Sequence, residues 1–270
     1  MLADFLYSHP TWLIGLLMVS LWTGLSLFGL YYWHRFFDVN ERHRDTETVG
    51  LTYAFVAVVY GVFMALIVVD VFDRFTRSDS IATAEANRLS TLMFDSAGLP
   101  SPTGAAVRSD LDRYIDLVVK SEWPSQRRGK LDIAVFEPGW TVLGHLSTEL
   151  ATFEPATKGQ NSNKAEMLHA VNDLIKARRG RILAAGGHLP VVVWKMLVLG
   201  GVISIVYSYF FGARQFGIQM AITGLIASTI ALVFVLIVAL DFPFRGDVSV
   251  SPDAFILVRT TSAEAQHRIP

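Results

Sequence analysis

The chain has no cysteine and few charges. Without cysteine it has no disulfide and no thiolate nucleophile or metal ligand. Only 17% of its residues are Asp, Glu, Lys or Arg, against about 25% in a typical soluble domain. A net charge of −1 gives no sign of a basic surface for nucleic acid. There is no phosphate-cradling glycine loop, His-Glu-x-x-His pair or nucleophile elbow. The histidines, at positions 9, 34, 43, 145, 169, 188 and 267, include no pair spaced i, i+4. These absences argue against an enzyme. No Lys or Arg precedes the first apolar run, and that run is long for a leader peptide, so no cleavable signal is expected.

What the chain has instead is apolar sequence, 52% of its residues. Four runs stand out: Thr11–Trp33, Gly50–Phe72, Leu189–Phe211 and Ile218–Leu240. A helix rises about 1.5 Å per residue, so each run is long enough to cross a hydrocarbon core of about 30 Å. The runs form two pairs joined by short loops, which predicts antiparallel hairpins. The fold expected is an all-α membrane protein. Residues 1–72 form a first transmembrane hairpin, 73–188 a helical cytoplasmic domain and 189–240 a second hairpin. Residues 241–270 form a cytoplasmic elbow and tail.

An even number of spans puts both termini and the middle segment on one side. Near the span ends that side carries Arg74, Arg77, Arg88, Lys176, Arg178, Arg179, Arg181, Arg245 and Arg259. The other side carries Arg35, Arg42, Arg44 and Arg214. Nine against four favours a cytoplasmic middle in a bacterial inner membrane. In the middle segment the periodicity predicts a helix over Arg74–Ala97, continuous with the second span, then helices over Thr103–Glu122, Gly139–Phe153 and Lys164–Leu183. Ser101-Pro102 reads as the start of the second of these. Trp123-Pro124 with the basic stretch 127–130 reads as a break, and Ala156–Asn163 as a loop.

Several residues are candidates for function. The second span carries a small-residue stripe of Gly50, Ala54, Ala57, Gly61 and Ala65, which suits close helix packing. The same helix can instead line a narrow pore through Ala57, Tyr60, Gly61, Met64, Ile67 and Val68, an apolar constriction that gates by dewetting. Asp70 and Asp73 close that span, and Asp241 is expected at similar depth on the fourth, either facing a vestibule or in a helix-end salt bridge such as Asp241 with Arg74. Lys195 is the basic residue within an apolar run, and snorkelling is its default role. After the fourth span, Asp241, Arg245, Asp247 and Asp253 occupy a segment broken by Pro243, Gly246 and Pro252. It reads as a membrane-exit turn, or as a gating elbow whose three aspartates, with Ser249 and carbonyls, offer oxygens to Ca²⁺, a weak signal because the spacing is not that of an EF-hand.

Several of these features together resemble the bestrophin-like family of bacterial membrane proteins, a group of unknown function. They are the two-plus-two spans, Asp70…Asp73-Arg74, Glu85-Ala86-Asn87 and Leu111…Arg113-Tyr114. The rest are Leu189-Pro190…Trp194 and, above all, the run from Asp241 to Asp253 (DFPFRGDVSVSPD). The resemblance implies a plan like that of the true bestrophins. Those are pentameric ion channels with cytosolic helices between the second and third membrane helices and the second helix lining the pore. Animal bestrophins bind Ca²⁺ at an acidic cluster after the fourth membrane helix, whereas here Asp241, Asp247 and Asp253 are spread apart. The expected partners are membrane lipid, further copies of the chain and inorganic ions, and calcium is the one cofactor suggested. The function expected is an oligomeric ion channel. The alternative is a non-conducting membrane scaffold or sensor whose cytoplasmic helices bind a partner.

Overall fold

A computed structural model describes residues 7–36, 46–210 and 215–268. Arg42, His43, Arg44 and Arg214 lie outside the described residues. Every regular element among those described is helical: α1 (Thr11–Phe36), α2 (Thr46–Ser96), α3 (Thr103–Leu117), α4 (Trp123–Arg127), α5 (Ile133–Thr152), α6 (Lys158–Ala185), α7 (Val191–Ser208), α8 (Phe216–Asp241) and α9 (Asp253–Arg268). Helices α1, α2, α7 and α8 are long and apolar enough to cross a membrane. The chain divides into two compact units. One holds residues up to 73 with 188–241 and 246–248. The other holds 74–187 with 242–245 and 249–270.

In the span unit, α1 packs along α8. Trp22 meets Phe234 edge-on at 5.2 Å between ring centroids, and the Thr23 and Ser228 hydroxyls lie 3.1 Å apart. Small residues admit tyrosine rings elsewhere. Gly200 and Gly201 of α7 face the Tyr60 ring of α2, and the Tyr60 hydroxyl donates to the Leu197 carbonyl at 2.7 Å. The Tyr209 hydroxyl donates to the Ser26 carbonyl at 2.7 Å and lies against Gly29. In lipid no water competes for these groups, so interhelical hydrogen bonds and close backbone approach replace the hydrophobic drive.

The second unit buries Leu89, Leu111, Tyr114, Trp123, Leu146, Leu174 and Phe255 in one core. Here the helices outrun the sequence-based boundaries. Trp123-Pro124 is not a break. The chain widens into a π turn at Val118–Glu122 and continues as α4 to Arg127. The wider turn comes just before Pro124, which has no N–H to give, and Trp123 is buried. Helix α5 starts at Ile133 rather than Gly139, because the Asp132 carboxylate accepts from the Ala134 N–H at 3.1 Å and caps it. Helix α6 starts at Lys158 rather than Lys164. The Thr157 hydroxyl accepts from the Gln160 N–H at 3.2 Å, while the Gln160 side chain accepts from the Ala156 N–H at 2.8 Å. This reciprocal cap turns a stretch rich in Gly, Asn and Ser into helix. At the start of α3, Pro102 rather than Ser101 holds the cap position, with no side-chain cap.

Candidate functional site

Helix α2 shows which of its faces a single chain covers. Tyr60 and Met64, the expected constriction, are only 9% and 6% exposed. They face α7 and α8 within the single chain. Ala57, Ile67 and Val68 are half-buried on the same side, and Gly61 is exposed. The uncovered face carries Val58, Val62, Leu66 and Val69. At 100° per residue these lie within a quarter-turn of one another, and Asp73, Thr76 and Ser80, all exposed, continue that stripe. The small-residue stripe is also open. A side chain added at Gly61 would meet nothing within 4 Å.

Two apolar grooves flank α2. One, of about 710 Å³, runs between α2 and α8 past Tyr53, Ala57, Met64, Thr229 and Val233. The other, of about 390 Å³, runs between α2 and α7 past Phe55, Val59, Phe63, Met196 and Ile203. Asp70 and Asp73 are exposed near the end of the apolar stretch, and Lys195 is exposed on α7.

The segment after α8 performs structural work at both ends. The Asp241 carboxylate accepts from the Leu189 N–H at 2.7 Å and from the Trp194 indole at 3.3 Å. It thus sits at the N-terminus of α7, where the helix dipole favours negative charge. The Asp247 carboxylate accepts from the Thr11 N–H at 2.8 Å, at the N-terminus of α1. Gly246 has φ +81°, a conformation that suits glycine, with the Tyr7 ring beside it. In the second unit the Arg245 guanidinium lies 5.4 Å from the Phe242 ring centroid and against Gly129, whose φ is +67°. The Asp253 carboxylate accepts from the Ser251 hydroxyl at 2.7 Å. Among the described residues no three His, Cys, Asp or Glu side chains gather as a metal site. Of the aspartates considered for calcium, Asp241 and Asp247 belong to the span unit and Asp253 to the second, and each carboxylate serves a different donor.

The most highly charged site is one the sequence did not announce. Glu85 of α2, Glu122 of the π turn, and Arg178 and Arg181 of α6 are all fully buried. Arg178 grips both Glu122 oxygens, at 2.7 and 3.0 Å, and also donates to the Phe136 carbonyl at 2.8 Å. Arg181 grips both Glu85 oxygens, at 2.7 and 3.0 Å, and reaches Glu122 at 2.8 Å and the Gln126 side-chain carbonyl at 2.9 Å. The Tyr114 hydroxyl donates to Glu85 at 2.7 Å and accepts from Arg178 at 3.1 Å. Two acids balance two bases. Burial works to lower the pKa of Arg178, but Tyr114 and Glu122 outweigh it and hold it up. Burial likewise works against Arg181, and Glu85 holds it above its ordinary value. Burial, reinforced by Glu85, pushes the Tyr114 phenol well up. The sequence did carry a cue. Arg178 and Arg181 fall on the stripe of Val171, Leu174 and Ala185, the buried face of α6. Arg178 and Arg181 are thus interior charges, and they drop out of the membrane-facing count.

The crystal structure of a bacterial bestrophin homologue from Klebsiella pneumoniae, in a mutant form, superposes with a TM-score of 0.68. It is 12% identical and covers 93% of this chain and 99% of its own. A second mutant form gives 0.66 at 14% identity, covering 93% and 98%. A further structure of the homologue gives 0.65 at 13% identity, covering 96% and 99%. No curated protein matches the sequence. The sequence profile of the Bestrophin-like domain matches residues 20–255. With that match spanning most of its length, this membrane protein belongs to the bestrophin-like family.

Proposed function

We propose that the protein is an oligomeric ion channel, pentameric on the bestrophin plan, with α2 around the axis. The observation that carries this reading is the uncovered stripe Val58, Val62, Leu66 and Val69, which runs on into the polar Asp73, Thr76 and Ser80. One four-helix protomer has no room for an aqueous lumen, so conduction needs several copies about a symmetry axis. Placed at that axis, the apolar part of the stripe is a dewetting constriction, and the polar part is a wet vestibule. This assignment replaces Tyr60 and Met64 by Val62 and Leu66 as the narrowing residues. The flanking grooves leave room on α2 for neighbouring copies or lipid. The exposed cations Arg77, Arg88, Lys176 and Arg179 support a cytoplasmic middle unit in the inner membrane.

Planar-bilayer recording of the purified protein tests this. Val62→Ala or Leu66→Ala widens the constriction and raises unitary current, while Val233→Ala, lining the groove between α2 and α8, leaves it unchanged. No current over a range of salts and pH values overturns the reading and favours the scaffold.

A further inference from the structure

We infer that the patch where the loop before α5 meets the end of α6 is a docking site for anionic membrane lipid. Around a pocket of about 210 Å³, Leu131, Ile133, Phe136, Ile182 and Leu183 line up with Arg179 among them. Ile133 is 81% exposed and Leu183 is 70% exposed, so both large apolar side chains stand open beside the pocket. The cations Arg127, Arg128 and Lys130 lead directly into Leu131 and are exposed, as is Arg179. The acids nearby are Asp132, which caps α5, and Glu137. Four cations therefore stand against two carboxylates.

Exposed apolar side chains beside Arg179, with Arg127, Arg128 and Lys130 just before Leu131 in the chain, match a surface that presents phosphate headgroups above acyl chains. Chain position supports the same occupant. Leu131 packs on Gly186, where an added Cβ would meet its Cδ1 at 2.9 Å. Gly186 comes five residues before Val191, the first residue of the third span helix. Along the chain, the patch is thus only a few residues from a helix that can cross the membrane. Ile133 and Leu183 enter the shallow acyl region, while Arg127, Arg128, Lys130 and Arg179 hold the headgroup phosphates. The inference does not depend on conduction.

The chain lacks cysteine, so one label can be placed at will. Full-length Ile133→Cys protein, carrying an environment-sensitive fluorophore, is reconstituted into vesicles of phosphatidylcholine with or without phosphatidylglycerol. A nitroxide low on the lipid acyl chain serves as quencher. Ser162→Cys, exposed near the far end of α6, is the control, about 30 Å along the helix from Leu183. The expected result is at least threefold stronger quenching at position 133 than at 162 in phosphatidylglycerol vesicles. That excess falls by half or more in phosphatidylcholine alone or with Arg127→Gln, Arg128→Gln and Arg179→Gln combined. Equal quenching at the two positions overturns the proposal. So does quenching at 133 that ignores lipid charge, or a label at 133 shielded by a neighbouring copy. Competition by millimolar inorganic phosphate without vesicle dependence would assign the cations to free anion and also overturn it. If Ile133→Cys fails to fold, Leu183→Cys takes its place with the same outcomes.

Discussion

Glu122→Gln keeps the shape of a fully buried side chain and removes its charge. Arg178 then loses its bidentate carboxylate and Arg181 one of its acceptors, leaving two guanidinium groups against Glu85 alone. Stripping one partner from a buried pair costs about 3–5 kcal/mol, because the remaining charge stays dehydrated. For a chain of this size each kcal/mol moves the melting temperature by about 2–4 °C, so a drop of about 6–12 °C is expected from a 3 kcal/mol loss. The assay is a thermal scan of the detergent-solubilised protein at one fixed rate, followed by tryptophan fluorescence. The reporters are well placed: the Trp140 ring lies 4.7 Å from the Arg178 guanidinium and the Trp123 ring 5.4 Å from that of Arg181. The decisive variant is the double Glu122→Leu/Arg178→Met. It removes one acid and one base and leaves Arg181 with Glu85, so charge is balanced again. Replacing a buried pair by apolar residues is often close to neutral, so the double variant should melt above Glu122→Gln, with a coupling of about 2 kcal/mol or more. If Glu122→Gln melts within 2 °C of wild type, or the double variant merely adds two losses, charge balance is not what the network supplies.

Other perturbations reach the same unit and the spans. Gly139→Ala puts a methyl group 2.6 Å from Glu122 Oε1 and onto the Arg178 guanidinium; it should lower the melting temperature in the same scan, and an unchanged melt would show that the network yields easily. Asp241→Ala takes the charged acceptor from the Leu189 N–H and the Trp194 indole and should cost about 1–3 kcal/mol, read as a loss of a few degrees, whereas millimolar Ca²⁺ should leave the wild-type melt in place because Asp241, Asp247 and Asp253 each serve a different donor. His145 Nδ1 lies 2.6 Å from Asp110 Oδ2. That hydrogen bond, and then the Asp110 charge, raise the His145 pKa above its ordinary 6.5. A raised folded-state pKa means the pair stabilises fully below the unfolded value and loses that contribution as pH rises through the folded one. Melting temperature should therefore fall slightly from about pH 6 to pH 8 in wild type relative to Asp110→Asn, and equal pH slopes would count against the pair.

The spans were legible because lipid imposes one strong rule: long helices with their backbone bonds made internally. Run length alone gave four of them. Helix ends in the second unit were less legible, since Gly, Asn, Ser and Pro were read as breakers by type. Their effect depends on partners several residues away, such as Gln160 for Thr157 or the π turn before Pro124. The buried charges misled in another way. Counting Arg178 and Arg181 as membrane-side cations assumes exposure, and only the i, i+3, i+7 register with Val171 and Leu174 says otherwise.

The site on α2 shows why one chain's sequence underdetermines a pore. Tyr60 is the largest polar-tipped residue mid-span, which makes it an attractive gate, but its hydroxyl needs a partner in lipid and finds the Leu197 carbonyl inside the protomer. That bond rotates α2 so that plain aliphatic residues face outward. Val58, Val62 and Leu66 carry no polar cue, and in a single sequence nothing separates lipid-facing from axis-facing valine. Under the channel proposal, what marks them is that Asp73, Thr76 and Ser80 continue the same stripe where α2 leaves its apolar stretch.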